Sequence, residues 1–247
     1  MDGVIDLCQD TLNKKKQALI FVNAKRSAEK TAEDIGKTLK IRSSALHALS
    51  EEIRNVLSKP TKQCERLADC VHNGAAFHHA GLHAQQKTLV ENAFRSGVLG
   101  LIACTPTLAM GLDLPAFRAI ITSTKRFGQH GMQFIPVLEY LQMAGRAGRP
   151  KYDTVGEAIL IASTEAERDE LLDRYIHGEP EDIYSKLAVE PVLRTYILSL
   201  ISSRVVGTRT QLLDFFSQTF WAHQFKDLAK LSGTIDKMLK LLIDWEF

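Results

Sequence analysis

Short apolar runs alternate along this chain with longer stretches in which apolar residues recur every three or four positions. Ala18-Leu19-Ile20-Phe21-Val22 is the first run, β-branched and aromatic, of the kind buried in a parallel sheet. Ala75-Ala76-Phe77-His78, Leu99-Gly100-Leu101-Ile102-Ala103, Ala119-Ile120-Ile121 and 157–162 repeat it. Between them the pattern predicts helices over 25–40, 44–57, 63–72, 83–95 and 137–145, with Pro60 and Asn73-Gly74 as stops. Strands alternating with helices imply an α/β domain built on a mostly parallel sheet. After Gly178-Glu179-Pro180 the pattern changes. Segments 187–201, 210–216 and 228–242 read as helices with no strand between them, and Leu228, Leu231, Ile235, Met238 and Leu242 recur at helical spacing. The expected organisation is a sheet domain over 1–184 and a small helical domain over 185–247.

A length of 247 residues accommodates one large core or two smaller ones. Apolar content of 45% and charged content of 24% are ordinary for a soluble globular protein. No apolar run approaches the ~20 residues that cross a bilayer, and Met1-Asp2-Gly3-Val4-Ile5-Asp6 is acidic where a signal peptide is basic. The reading is cytoplasmic, with no membrane partner. Net charge is only +2, so any polyanion must be met by local clusters rather than a global field. Arg118, Lys125, Arg126, Arg146, Arg149 and Lys151 form one such stretch, largely cancelled by the acidic residues of 165–182. Cys8, Cys64, Cys70 and Cys104 form no C-x-x-C pair. The histidines His72, His78 and His79 near Cys64 and Cys70 match no common zinc spacing, so the cysteines read as buried thiols and no metal is expected.

Four segments fall at strand ends, where loops and helix N-termini of a parallel sheet offer unpaired N–H groups. Phe21-Val22-Asn23-Ala24-Lys25-Arg26-Ser27 leaves a strand with polar and basic groups, although a capped helix start explains Asn23 and Ser27 equally well. Phe77-His78-His79-Ala80-Gly81-Leu82 leaves another with paired histidines, which are more often structural than functional. In Thr105-Pro106-Thr107-Leu108-Ala109-Met110-Gly111-Leu112-Asp113-Leu114-Pro115, hydroxyls near a helix start suit phosphate, and Gly111 lets Asp113 turn back toward it. The fourth segment is Gln142-Met143-Ala144-Gly145-Arg146-Ala147-Gly148-Arg149-Pro150, on a helix expected to begin near Pro136. Helical spacing there puts Arg146 and Arg149 on one face. Their planar forks match phosphate oxygens and stay charged. Arginines presented in this way stabilise charge on a γ-phosphate, an effect of about 10³–10⁵ in rate. A basic helix end completed by glycine is the plainer reading of the same run.

In this order and spacing the four segments resemble motif IV, the motif after it, motif V and motif VI of the second motor domain of superfamily-two helicases. Within that superfamily the chain is most similar to the Ski-two-like group, and there to the archaeal DNA-repair helicase related to the helicase part of polymerase theta. The likeness continues through Lys151-Tyr152-Asp153, Gly156-Glu157-Ala158, Gly178-Glu179-Pro180-Glu181-Asp182, Glu190-Pro191-Val192-Leu193-Arg194 and 215–224, nearly the whole chain. It implies a RecA-like domain over 1–184 and a truncated winged-helix domain over 185–247. It also implies ATP gripped between two RecA-like lobes, with Mg²⁺ held mainly by an N-terminal lobe absent here. Gly36-Lys37-Thr38 does not replace that lobe's phosphate loop, since Thr31 stands where its upstream glycine belongs. The fragment alone is expected to be inactive.

By the same resemblance Arg146, Arg149 and Gln142 are catalytic. Gly111, Asp113, Gly145, Arg146 and Arg149 line the nucleotide side. Asn23, Arg26, His79 and Thr105 hold the backbone of single-stranded DNA, contacts that carry no sequence information. Thr122 to Phe134 reads as a hairpin with a Gly128-Gln129-His130-Gly131 tip. An ordinary surface hairpin fits as well, but in the family this position holds the pin that splits the duplex, with Phe127, Met132 or Phe134 stacking on the last base pair. The implied protein is a monomer, associated with the archaeal nucleoid, that tracks 3′ to 5′ and unwinds forked DNA in repair. An RNA helicase of the same group and a non-catalytic nucleic-acid-binding module are the alternatives.

Overall fold

Two units make up the chain, Met1–Glu181 and Asp182–Phe247. The computed structural model describes residues 2–109, 114–128, 131–149, 153–226 and 228–246, and the backbone alone at Ala188, Leu228, Lys230 and Leu231.

The first unit opens on a helix that the apolar pattern does not announce, α1 (Asp2–Asn13). Then follow β1 (Ala18–Phe21), α2 (Lys25–Leu39), α3 (Ser44–Arg54), α4 (Lys62–His72), β2 (Ala75–His78), α5 (Ala84–Arg95) and β3 (Leu101–Cys104). After one 3₁₀ turn, Pro106–Leu108, come β4 (Arg118–Ile121), β5 (Lys125–Gly128), β6 (Gly131–Phe134), α6 (Val137–Ala144), β7 (Glu157–Leu160) and α7 (Glu165–Leu171). Local chemistry sets the boundaries. The Ser43 hydroxyl accepts from the Leu46 amide at 3.2 Å and starts α3, while Thr61 and Thr164 cap α4 and α7 in the same way. At Gly74 φ is +88°, and a Cβ would sit 2.6 Å from that of Ile41, so only glycine makes this turn. Strand β3 starts at Leu101 rather than at Leu99.

Five strands form one all-parallel sheet in the order β2-β3-β1-β4-β7. Pairing is in step, Phe21 lying opposite both Cys104 and Ile121, so the loops after β1, β2, β3 and β4 leave from one edge. Residues of β1 to β4 are buried throughout, as expected of a parallel sheet covered on both faces. This is the α/β architecture implied by the alternating pattern. Burial of its large side chains, Phe21, Ile20, Phe77, Ile102 and Phe94 among them, contributes about 1.5–3 kcal/mol each.

Arg118 corrects the charge reading. It is 2% exposed, and its guanidinium bonds the Leu7 carbonyl and Thr11 hydroxyl at 2.8 Å, Asp10 at 2.9 Å and Glu157 at 2.8 Å. It fastens α1 across β4 and β7 and offers nothing to a polyanion. The four cysteines are buried free thiols, and burial pushes Cys8 and Cys70 up to about 12.

The second unit contains α8 (Glu190–Ser202), α9 (Arg209–Ser217), α10 (Phe220–Phe225) and α11 (Leu228–Asp244). Thr208 and Gln211 close a capping box at the start of α9. Leu193, Ile197, Leu212, Phe216, Trp221, Ile235, Met238 and Leu242 form its core. Helix α10, six residues long, is too short for the apolar period to reveal. Among the described residues of both units, no helix is long and apolar enough to cross a membrane.

Candidate functional site

At the carboxyl edge of the sheet the loops after β1, β3 and β4 enclose a cleft of about 360 Å³, lined in part by Asn23, Lys25, Thr105, Thr107, Ser123 and Arg126. Asn23 fixes one wall. Its Nδ2 donates to the Lys125 carbonyl at 3.1 Å and the Ser123 hydroxyl at 3.4 Å, joining residues a hundred positions apart. Thr105 and Thr107 share a 2.8 Å hydroxyl–hydroxyl bond at the start of the 3₁₀ turn. Hydroxyls, an amide and two cations at strand ends make a surface suited to phosphodiester oxygens. Arg26 is exposed on the first turn of α2, near this edge. Lys25 and Ser123 carry no such signal in the sequence, and only the parallel register brings their loops together with Thr107 and Arg126.

His79 does not join that surface. It is fully buried, stacked on Phe77, and its Nδ1 accepts from the Gly81 amide at 3.1 Å. That bond leaves Nε2 to donate to Glu29, 3.2 Å away, a carboxylate also bonded by Gln63 and Arg66. Burial is the leading cause that lowers the His79 pKa, as it does for His78, whose Nε2 lies 2.9 Å from Glu91. The expected phosphate contact at His79 is therefore corrected: the residue pins the Ala80-Gly81 turn from beneath.

Strands β5 and β6 form an antiparallel hairpin with Lys125 opposite Phe134 and Phe127 opposite Met132. Its root is held firmly. The buried Tyr175 hydroxyl donates to the Ile135 carbonyl at 2.8 Å and lies 3.4 Å from that of Thr124, and Lys125 and Arg174 lie over the Phe134 ring at 4.3 and 4.2 Å. Phe134 is thus engaged at the base. Phe127 and Met132, 84% and 61% exposed, stand side by side on the outer part of one face. The tip residues Gln129 and His130 lie outside the described residues.

The arginine segment departs from the helical expectation. Helix α6 ends at Ala144, Gly145 is its C-cap, and Arg146 and Arg149 lie in the loop beyond, so helical spacing does not align them. The loop is bonded to the sheet domain instead. The Ala116 amide donates to the Arg146 carbonyl at 2.9 Å, and the Gly148 amide to the Ala116 carbonyl at 2.7 Å. Gly148 has φ of +93°, and a Cβ on Gly156 would collide with the Gly148 and Ala147 backbone, so two glycines permit this close approach.

The Arg146 Nη2 donates to the Ala109 carbonyl, and its buried Nε has no partner among the described residues. Arg149 bonds Asp153 through Nε at 2.7 Å and Nη2 at 3.2 Å, and Gln17 through Nη1 at 2.7 Å. The Asp153 side chain, 1% exposed, also receives Lys16 at 2.5 Å, and the Arg149 guanidinium with Lys16 holds its carboxyl down at about 2. Gln17 immediately precedes β1, whereas Asn23 follows it. Arg149 and the polar cleft therefore occupy opposite ends of the sheet and form separate sites. Gln142 is exposed on α6. Gly111 and Asp113 lie outside the described residues.

Residues 56–151 match the family described as helicase conserved C-terminal domain, and residues 156–247 match a helix-turn-helix domain. The chain is 45% identical over 247 residues to the ATP-dependent DNA helicase Hel308 of Methanocella arvoryzae, covering 98% of this chain and 33% of that protein. It is 41% identical over 244 residues to Hel308 of Pyrococcus horikoshii, covering 98% and 34%. For Hel308 of Pyrobaculum calidifontis the identity is 38% over 253 residues, covering 100% and 36%. The chain spans about a third of the length of these curated relatives.

Proposed function

We propose that the chain is the second motor half of an ATP-dependent DNA helicase of the Ski-two-like superfamily-two group, a reading supported by its matches to a C-terminal helicase domain and the helix-turn-helix domain after it and by its likeness to Hel308. The observation that supports this most directly is the pair of separated sites on one sheet. A polar cleft lies at the carboxyl ends of the strands, and an arginine loop is tied to the opposite end through Gln17. A strand-tracking motor needs this separation, because its fuel and its track are both polyanions and must not compete.

Arg146 suits a nucleotide phosphate, being a charged fork with a buried donor left unmet among the described residues. ATP bound between this domain and a second RecA-like lobe would supply the free energy, with Mg²⁺ held mainly by that lobe. Arg146 and Arg149 then stabilise charge on the γ-phosphate. Gln142, one turn back on α6, couples their loop to the interdomain cleft, together with Gly145, Gly111 and Asp113. Asn23, Arg26 and Thr105 hold backbone phosphates without reading bases, and opening and closing of the lobes shifts the strand. The track is single-stranded DNA entered from a fork, followed 3′ to 5′ by a monomer during repair. Phe127 and Met132 meet the last base pair.

The test joins this chain to the phosphate-loop lobe of a Hel308 relative. DNA-stimulated ATP hydrolysis is expected, while the 247-residue chain alone turns over none. Arg149→Ala in the joined protein should lower hydrolysis about 10³-fold or more and leave single-strand binding within about twofold. Hydrolysis by the isolated chain, or equal loss of hydrolysis and strand binding in the variant, would overturn the proposal. Preference for an RNA overhang over a DNA overhang would move the protein to the RNA branch of the group.

A further inference from the structure

Among the described residues Glu139 is the one acid in the cleft lining, and it is 7% exposed. It projects from α6, whose first amides are held by Glu181, with the Val137 amide donating at 2.8 Å and that of Leu138 at 3.3 Å. Its carboxylate lies 2.8 Å from the Arg126 Nη1. Arg126 comes from β5, with its side chain 49% exposed at the cleft. No other hydrogen bond or ion pair engages its guanidinium among the described residues. One nitrogen of the fork is therefore anchored, and two others remain to face a ligand. Next to it in β5, on the opposite face of the hairpin, stands the exposed Phe127.

We propose that Arg126 grips a backbone phosphate in the cleft and that Glu139 is its positioning residue. One strand then presents a phosphate clamp on one face and a base-stacking ring on the other, fixing how far the gripped phosphate lies from the point where the duplex parts. The proposal rests on the single-strand-binding reading above. A carboxylate in a nucleic-acid cleft ordinarily repels its ligand, and retention of a buried one is explained if its effect on the arginine outweighs that repulsion. Positioning preserves the geometry of a long side chain that otherwise loses rotamer freedom on binding.

The experiment is a double-mutant cycle on the 247-residue chain, read by anisotropy of a short fluorescein-labelled oligothymidylate over a salt series, with thermal unfolding as a check on the fold. Arg126→Ala should weaken binding about tenfold and reduce the salt slope by about one. Arg126→Lys should keep the slope and lose about threefold, because the charge remains but not the fork. Glu139→Gln should weaken binding about threefold when Arg126 is present, although net charge becomes more positive. In the Arg126→Ala background it should instead strengthen binding, since only the repulsion is left to remove. That reversal of sign distinguishes positioning from simple charge. If Glu139→Gln tightens binding in both backgrounds, or Arg126→Ala binds like the unaltered chain, the inference fails while the strand-binding reading stands. If the unaltered chain shows no salt-dependent binding, the parent reading fails first.

Discussion

Replacing Asp153 by Asn keeps the shape of the residue that holds Arg149 and removes its charge. The buried carboxylate receives Arg149 at 2.7 and 3.2 Å and Lys16 at 2.5 Å. Its pKa is lowered from 3.8 to about 2, which at about 1.36 kcal/mol per unit sets an upper limit of about 2.4 kcal/mol on the stability gained from ionisation. Arg149 and Lys16 keep 19% and 30% of their side-chain exposure, so water screens part of that gain and about 1–2 kcal/mol is expected. For a protein of this size that lowers the unfolding midpoint by about 2–8 °C.

The sign with pH follows from the direction of the shift. A depressed carboxylate stabilises the fold above its unfolded pKa, and the contribution is lost as pH falls through the folded value. The difference between Asp153→Asn and the unaltered chain should therefore be constant from neutral pH down to about 5 and shrink between about 4 and 2. Thermal and urea unfolding followed by circular dichroism at several pH values measures it. A midpoint change below 1 °C at neutral pH (well under the about 2 °C lower bound) would refute the ion-pair reasoning, as would a difference that stays constant into acid.

Three further outcomes follow from the geometry. Gly156→Ala should destabilise the first unit by about 1–3 kcal/mol through the clash with the Gly148 and Ala147 backbone, whereas Gly97→Ala, where a Cβ meets nothing within 4 Å, tests strain from φ alone; urea titration compares them. His78 and His79 are lowered by burial, so the unfolded chain takes up more protons and stability should decline as pH drops below the usual histidine value of about 6.5. Gln at both positions should flatten that decline in the same titration. Phe127→Ser with Met132→Ser should abolish strand separation in the joined motor and preserve DNA-stimulated hydrolysis; unwinding at the unaltered rate would exclude the hairpin as the separating element.

Apolar periodicity alone determined the two-part organisation and the parallel sheet, since the runs at Ala18, Ala75, Leu101 and Ala119 have to be buried on both faces wherever the chain leads them. Motif spacing likewise marked the loops after β1 and β3, and there Asn23 and Thr105 do line one cleft. Sequence could not show α1, whose anchor is the buried Arg118 network contributed by strands a hundred residues away. Nor could it reveal that His79 faces Glu29 rather than solvent, or that Arg126 and Glu139 meet. The arginine loop shows the limit most clearly. Helical spacing described Arg146 and Arg149 as neighbours on a face, but Gly145 ends the helix, and the sheet edge at Ala116 and Gly156 takes over. Periodicity reports which side of an element is buried, a local property of successive residues. Which charge meets which partner depends on strand register and loop closure, and those are fixed only when distant segments come together.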